Sequence, residues 1–281
     1  MQGLPRTFHT MKVSCAGVAG LLFVSLAHAQ SAEPAFAAVS IKQTTVKRYG
    51  GVEFKSGGRF TANDVGVYQL VNSAYGLTGT ERVREGPNCP KWIDSEHFDV
   101  EAVSEEGVIP AGLDMFHVRE KMRPLLQRLL AERFQLVIRR EPMEMRVYTL
   151  TAAKTGVKLT KAANGDAECQ TSVECHQFVG NRMRGLRGVA VSMADLAFAL
   201  EAGSDRPMVD ETGIVGLFSM EVRPFATLKP QLNDSVPEYN PEPVKPSLSS
   251  ILEKDFGLLL RPARARIDTI QIESVKMPSA N

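Results

Sequence analysis

Between His97 and Val103 apolar and polar residues alternate, so that Phe98, Val100 and Ala102 share one face and His97, Asp99 and Glu101 the other, the pattern of a half-buried strand. A longer period follows Ser192. Met193, Leu196, Ala197 and Leu200 recur at helical spacing, Ser192 with Asp195 makes a capping box, and Gly203 supplies a stop. The helix in "GRFTANDVGVYQLVNSAYGL" is predicted to end likewise, at Gly76. A second helix is predicted around "MRPLLQRLLAER", begun or kinked at Pro124, and the alternating runs "FQLVIRR" and "RVYTLTAA" are predicted as two further strands.

These patterns occur twice. Aligning Phe134 with Phe256 also places Leu126 on Leu248, Leu130 on Leu252, Leu136 on Leu258 and Arg139 on Arg261. Upstream, Val65 meets Val191 and Leu70 meets Leu196, and between the two blocks Phe98 meets Phe218. The chain therefore reads as two tandem copies of a strand-helix-strand-helix-strand-strand module. That order predicts an α+β fold with helices packed on mixed or antiparallel sheets. The first module is expected over residues 30–163, a linker over 164–180 and the second module over 181–281. The second copy carries an insertion at 224–246 with six prolines, which predicts a mobile surface loop.

The first residues set an address. Arg6 and Lys12 precede an apolar run from Val13 to Leu26 and the small-residue end Ala27-His28-Ala29, which reads as a secretory signal peptide over 1–29. At 14 residues the run is short of the roughly 20 that span a bilayer as a helix. An exported protein, periplasmic or extracellular, is expected after cleavage near Ala29. Removal of Arg6 and Lys12 leaves 31 Lys and Arg against 32 Asp and Glu, a balance that points to neither nucleic acid nor an anionic membrane as partner.

In an oxidising compartment Cys169 and Cys175 are the natural disulfide pair, closing a small loop worth about 2 kcal/mol, and Cys89 is left over. A competing reading makes Cys169, Cys175 and His176 metal ligands. Their spacing matches no standard zinc pattern and lacks a fourth ligand, so no metal and no cofactor are expected.

The segments "GGRFTANDVGVYQLVNSAYG", "GPNCPKWIDSEHFDVEA", "LLQRLLAERFQLVIRREPMEMRVYTLTAAKTGVKL", "RPMVDETGIVGLFSMEV" and "ESVKMPS" are spread along nearly the whole mature chain. In them the sequence resembles a soil-associated family of secreted proteins of unknown function, multiplied in acidobacteria. The resemblance implies export and no established activity. Related domains resemble attachments of membrane metallopeptidases of the antibiotic-sensor type, but His-Glu-x-x-His is missing here, so that activity does not carry over. The element order is also similar to the small periplasmic domains of secretins and TonB-dependent receptors, a likeness at fold level alone.

Candidate chemistry is sparse. The chain has no Gly-x-Ser-x-Gly elbow, no phosphate-binding glycine loop and no Cys-x-x-Cys. His97 with Asp94 or Asp99 makes an acid-base pair on paper, yet the strand pattern turns His97 and Asp99 toward solvent. Glu101 and Glu221 each follow a strand phenylalanine by three residues and are the carboxylates a glycosidase reading would use. Trp92 reads as a core or hinge anchor, with a sugar platform as the functional alternative. The "RPMVDETGIVGLFSMEV" segment suggests an aspartic-protease loop. Glu211 separates Asp210 from Thr212, however, and the first copy has no Asp-Thr-Gly, so Asp210, Thr212, Gly213 and Gly216 read as turn chemistry. The balance favours a non-catalytic module that binds an envelope protein, peptide or glycan. The alternative is a secreted hydrolase with carboxylates in a groove between the modules.

Overall fold

Strands with one apolar face must bury it, and the computed structural model sorts the strands of this chain into three four-stranded sheets. It describes residues 34–44, 50–77, 82–162, 175–228 and 245–279, all within one compact unit, Pro34–Asn281. The predicted signal peptide, Cys169 and most of the proline-rich insertion lie outside the described residues.

The first sheet holds β1 (Phe36–Gln43), β2 (Gly51–Lys55), β3 (Arg59–Gly66) and β5 (His97–Ser104) in the order β1-β5-β3-β2. The third holds β7 (Thr160–Lys161), β8 (Gln177–Asn181), β9 (Gly185–Val191) and β11 (Phe218–Val222) in the order β7-β11-β9-β8. All pairings in both are antiparallel. The second is a mixed sheet, β10-β6-β12-β4, built on β6 (Val137–Ala152) paired antiparallel with β12 (Leu258–Ser274). β4 (Val83–Glu85) runs parallel to β12, and β10 (Met208–Asp210) parallel to β6. The second sheet thus takes strands from both halves of the sequence. The fold is α+β.

Where two successive strands were predicted, each half has one long strand. β6 runs through Pro142 and β12 through Pro262. A proline removes a ladder donor, so it is tolerated where one side of the strand is unpaired. β10 covers β6 only at residues 148–150, and β4 covers β12 only at 270–272. Each proline falls where its strand has a single neighbour, and the strand continues past it.

Helices cover the inner faces. α1 (Val67–Tyr75) buries Val67, Leu70, Val71 and Ala74, and Gly76 ends it in the left-handed conformation. α2 (Met115–Arg133) begins well before Pro124, because the Asp114 carboxylate caps it by accepting from the His117 amide. α3 (Met193–Glu201) starts at the Ser192–Asp195 capping box. α4 (Leu248–Ile251) continues as a wider turn to Phe256 and ends at Gly257. The first core joins the first sheet, α1 and α2 to Ile270, Ile272 and Val275 from the end of the chain. The second joins the third sheet, α3 and α4 to Leu150 and Met208. No described helix is long and apolar enough to cross a membrane.

Candidate functional site

The outer face of the first sheet is polar, and a bulge in β3 brings an unexpected carboxylate onto it. The β3–β5 register breaks between Ala62 and Val65, and Asp64 takes up φ of 50° there. Gly50 makes room for the bulge: a Cβ at that position would stand 2.3 Å from the Asp64 carbonyl oxygen. The Asp64 side chain is 5% exposed, and its Oδ1 lies 2.8 Å from His97 Nδ1. An ionised carboxylate only accepts, so Nδ1 carries the proton and Nε2 is left as the acceptor of a 38% exposed imidazole. Asp99 completes the cluster: its Oδ1 accepts from the Asp64 amide at 2.9 Å and from Thr44 Oγ1 at 3.3 Å. Thr44 is tied in through its own amide, which donates to the His97 carbonyl.

This arrangement corrects the expectation that His97 and Asp99 simply face solvent. Both are half-buried and hydrogen-bonded, and the partner of His97 is neither Asp94 nor Asp99 but Asp64, 33 positions upstream. Strand alternation cannot foresee a bulge, which is why Asp64 and Thr44 were missed. The signal available was the difference between the two segments that the sequence alignment pairs. Register in the third sheet puts Phe218 opposite Lys161 and Val191, as Phe98 lies opposite Gln43 and Val65. By that register Ala162, Ala190, Leu217 and Ser219 occupy the places of Thr44, Asp64, His97 and Asp99. Ala190 repeats the positive φ at 50°, and Ala162 likewise donates its amide to the Leu217 carbonyl. Ala190 is buried with Cys175 among Ala162, Val189 and Leu217. One geometry carries a polar cluster in the first sheet and a largely apolar one in the third.

A second histidine cluster sits at the start of α2. The Asp114 carboxylate accepts from the His117 amide at 3.0 Å and lies 2.6 Å from His117 Nδ1. Burial alone would raise the Asp114 carboxyl, but the His117 amide and imidazole outweigh it and hold the group below its usual range. The His176 ring is 5.8 Å from that of His117, and Phe116 contacts both.

The other sequence candidates are dispersed. Glu101 and Glu221 lie exposed on different sheets, Glu101 opposite Ser40 and Thr61, Glu221 opposite Arg187. Trp92, in a 3-10 turn at Lys91–Asp94, is half-buried with its ring 6.2 Å from that of Phe98. Asp210 Oδ1 accepts from the Thr212 amide, Thr212 Oγ1 accepts from the Ile214 amide, and Gly213 and Gly216 have φ of 67° and 127°. Cys89 is a free thiol, half-buried, raised in pKa by burial and hydrogen-bonded to the Ile272 carbonyl. Cys175 is fully buried and not free. Among the described residues no three His, Cys, Asp or Glu side chains are grouped to hold a metal ion.

The model of one protein family, described as "Protein of unknown function (DUF3738)", matches residues 68–275, well over half of the chain. No curated protein and no solved structure matches it.

Proposed function

We propose that this chain, which belongs to the DUF3738 family of proteins of unknown function, is an exported, non-catalytic binding protein of the cell envelope or extracellular space. Its ligand is taken at the Thr44, Asp64, His97 and Asp99 cluster. The observation that carries this reading is the His97–Asp64 pair, which fixes a partly exposed imidazole on an outer sheet face through Nδ1 and leaves Nε2 outside that contact. A buried carboxylate fixes the tautomer and orientation of a histidine, and a fixed acceptor recognises a hydroxyl or amide donor of a glycan or peptide.

Recognition is favoured over hydrolysis by the surroundings of His97. Among the described residues its side chain hydrogen-bonds a carboxylate and no hydroxyl or thiol nucleophile. Glu101 and Glu221, on separate sheets, do not make the paired carboxylates of a glycosidase. The basic, then apolar, then small-residue pattern of residues 1–29 supports export, and export supports a Cys169–Cys175 disulfide.

The test replaces His97 by leucine, the residue of the matching position in the third sheet. Soluble envelope glycans and peptides are added to the protein while the imidazole resonances are followed by NMR. A ligand that shifts the His97 resonance and loses at least tenfold in affinity in His97→Leu is the expected outcome. A ligand held equally well by the variant sinks the site, and a ligand cleaved by the wild type sinks the non-catalytic reading. Fractionation of cells carrying a C-terminally tagged chain tests export.

A further inference from the structure

We propose that His117 and His176 form a two-histidine site for a first-row transition ion such as Zn²⁺, with Asp114 as its orienting group. Asp114, whose side chain is 7% exposed, engages Nδ1 of His117, so Nε2 is the nitrogen that ring has left for an ion. A carboxylate on the far nitrogen is the outer-shell partner that metal-ligating histidines carry, because it fixes the tautomer and strengthens the donor.

His176 supplies the second imidazole. Its ring centre is 5.8 Å from that of His117, with the planes 89° apart. Two imidazoles on one tetrahedral ion, with metal–nitrogen bonds of about 2.0–2.1 Å, place their ring centres roughly 5 Å apart. The observed separation is within about 1 Å of that. His176 is held at φ of 54°, where residues other than glycine are uncommon, and it follows the fully buried Cys175. Phe116, with ring centres 5.4 Å from His117 and 5.7 Å from His176, gives the pair an apolar wall.

Two protein ligands leave the remaining positions to water or to a further ligand. That sets this site apart from the closed three- and four-ligand centres that are missing among the described residues. His117 belongs to the first turn of α2, and His176 immediately precedes β8. A bound ion clips these two elements together and stabilises the folded state by mass action.

Calorimetric titration of the mature chain with Zn²⁺ is the test. One ion per chain is expected, with binding lost in His117→Ala and in His176→Ala. Asp114→Asn keeps a capping oxygen while losing the carboxylate, and should weaken binding 10- to 100-fold. Melting in the presence of a chelator checks that each variant is folded. Should a variant fail to fold, NMR of the wild type replaces it: the ion must shift the His117 and His176 ring resonances together. Binding that survives loss of both histidines, shifts at other histidines, or no binding by the folded wild type overturns the proposal.

Discussion

The first and third sheets share a strand order, a bulge with its residue at φ of 50° and an inward phenylalanine in the central strand, yet they place opposite chemistry on the bulge. Asp64 meets a histidine, and its amide donates to a second aspartate that also accepts from a threonine. Ala190 meets a leucine and is sealed by Cys175. The contrast separates what the backbone requires from what the site adds. The bulge forms with either set of side chains, so neither Asp64 nor His97 is needed to make it. A carboxylate almost fully withdrawn from water is costly to maintain, and the apolar alternative is present in the same chain.

The comparison can be broken from its core outward. The largest effect is expected from Phe98→Ala, about 4–5 kcal/mol in urea unfolding, because Phe98 is fully buried with edge-on contacts to Trp92 and Phe134 at 6.2 and 5.2 Å. Phe218→Ala should cost roughly 2 kcal/mol less, since each of the two aromatic pairs of Phe98 adds about 1 kcal/mol and Phe218 makes none among the described residues. Equal losses would mean that the two phenylalanines are energetically equivalent.

Next comes the exchange of chemistry. Ala190→Asp puts a charge into the apolar pocket with no imidazole opposite and should destabilise by roughly 3 kcal/mol or more. Adding Leu217→His should recover a measurable part, and a double-mutant cycle with no coupling would show that the third sheet cannot house the pair. Gly50→Ala is smaller, about 1–3 kcal/mol, because the Asp64 carbonyl must move. It should also displace the His97 resonance, and an unmoved resonance would disconnect Gly50 from the cluster.

The smallest effect lies in acid. Arg206 beside Asp205 holds its carboxyl below the usual range, the hydrogen bond between them being the main cause. A depressed folded pKa means that the contribution is present above the unfolded value, near 3.9, and is lost as pH falls through the folded one. Asp205→Asn should therefore flatten the acid limb of stability against pH while leaving neutral stability slightly lower. A steeper limb in the variant would reverse the sign of the linkage.

Strand alternation and helical spacing made much of this fold legible. The half-buried strand at His97, the capping box at Ser192 and the stop at Gly76 all follow from residue chemistry within one turn or one strand. The extent of β6 and β12 did not, since the tolerance of Pro142 and Pro262 depends on which neighbours those strands lack. The start of α2 was hidden because Asp114 competes as a cap with a proline that reads as a helix start. The site was harder still. Asp64 reaches His97 only because one extra residue is accommodated in β3, and no periodicity within β3 announces that. His117 and His176 lie far apart in sequence and share no motif.

The placement of β12 bears on when the molecule can fold. Its last residues, with Val275, complete the core that begins with β1, and its whole length is the partner of β6. The amino-terminal half therefore cannot close its interior before β12 has been added. Contacts of such long sequence separation slow folding, so this core is assembled late and across the whole described chain rather than half by half.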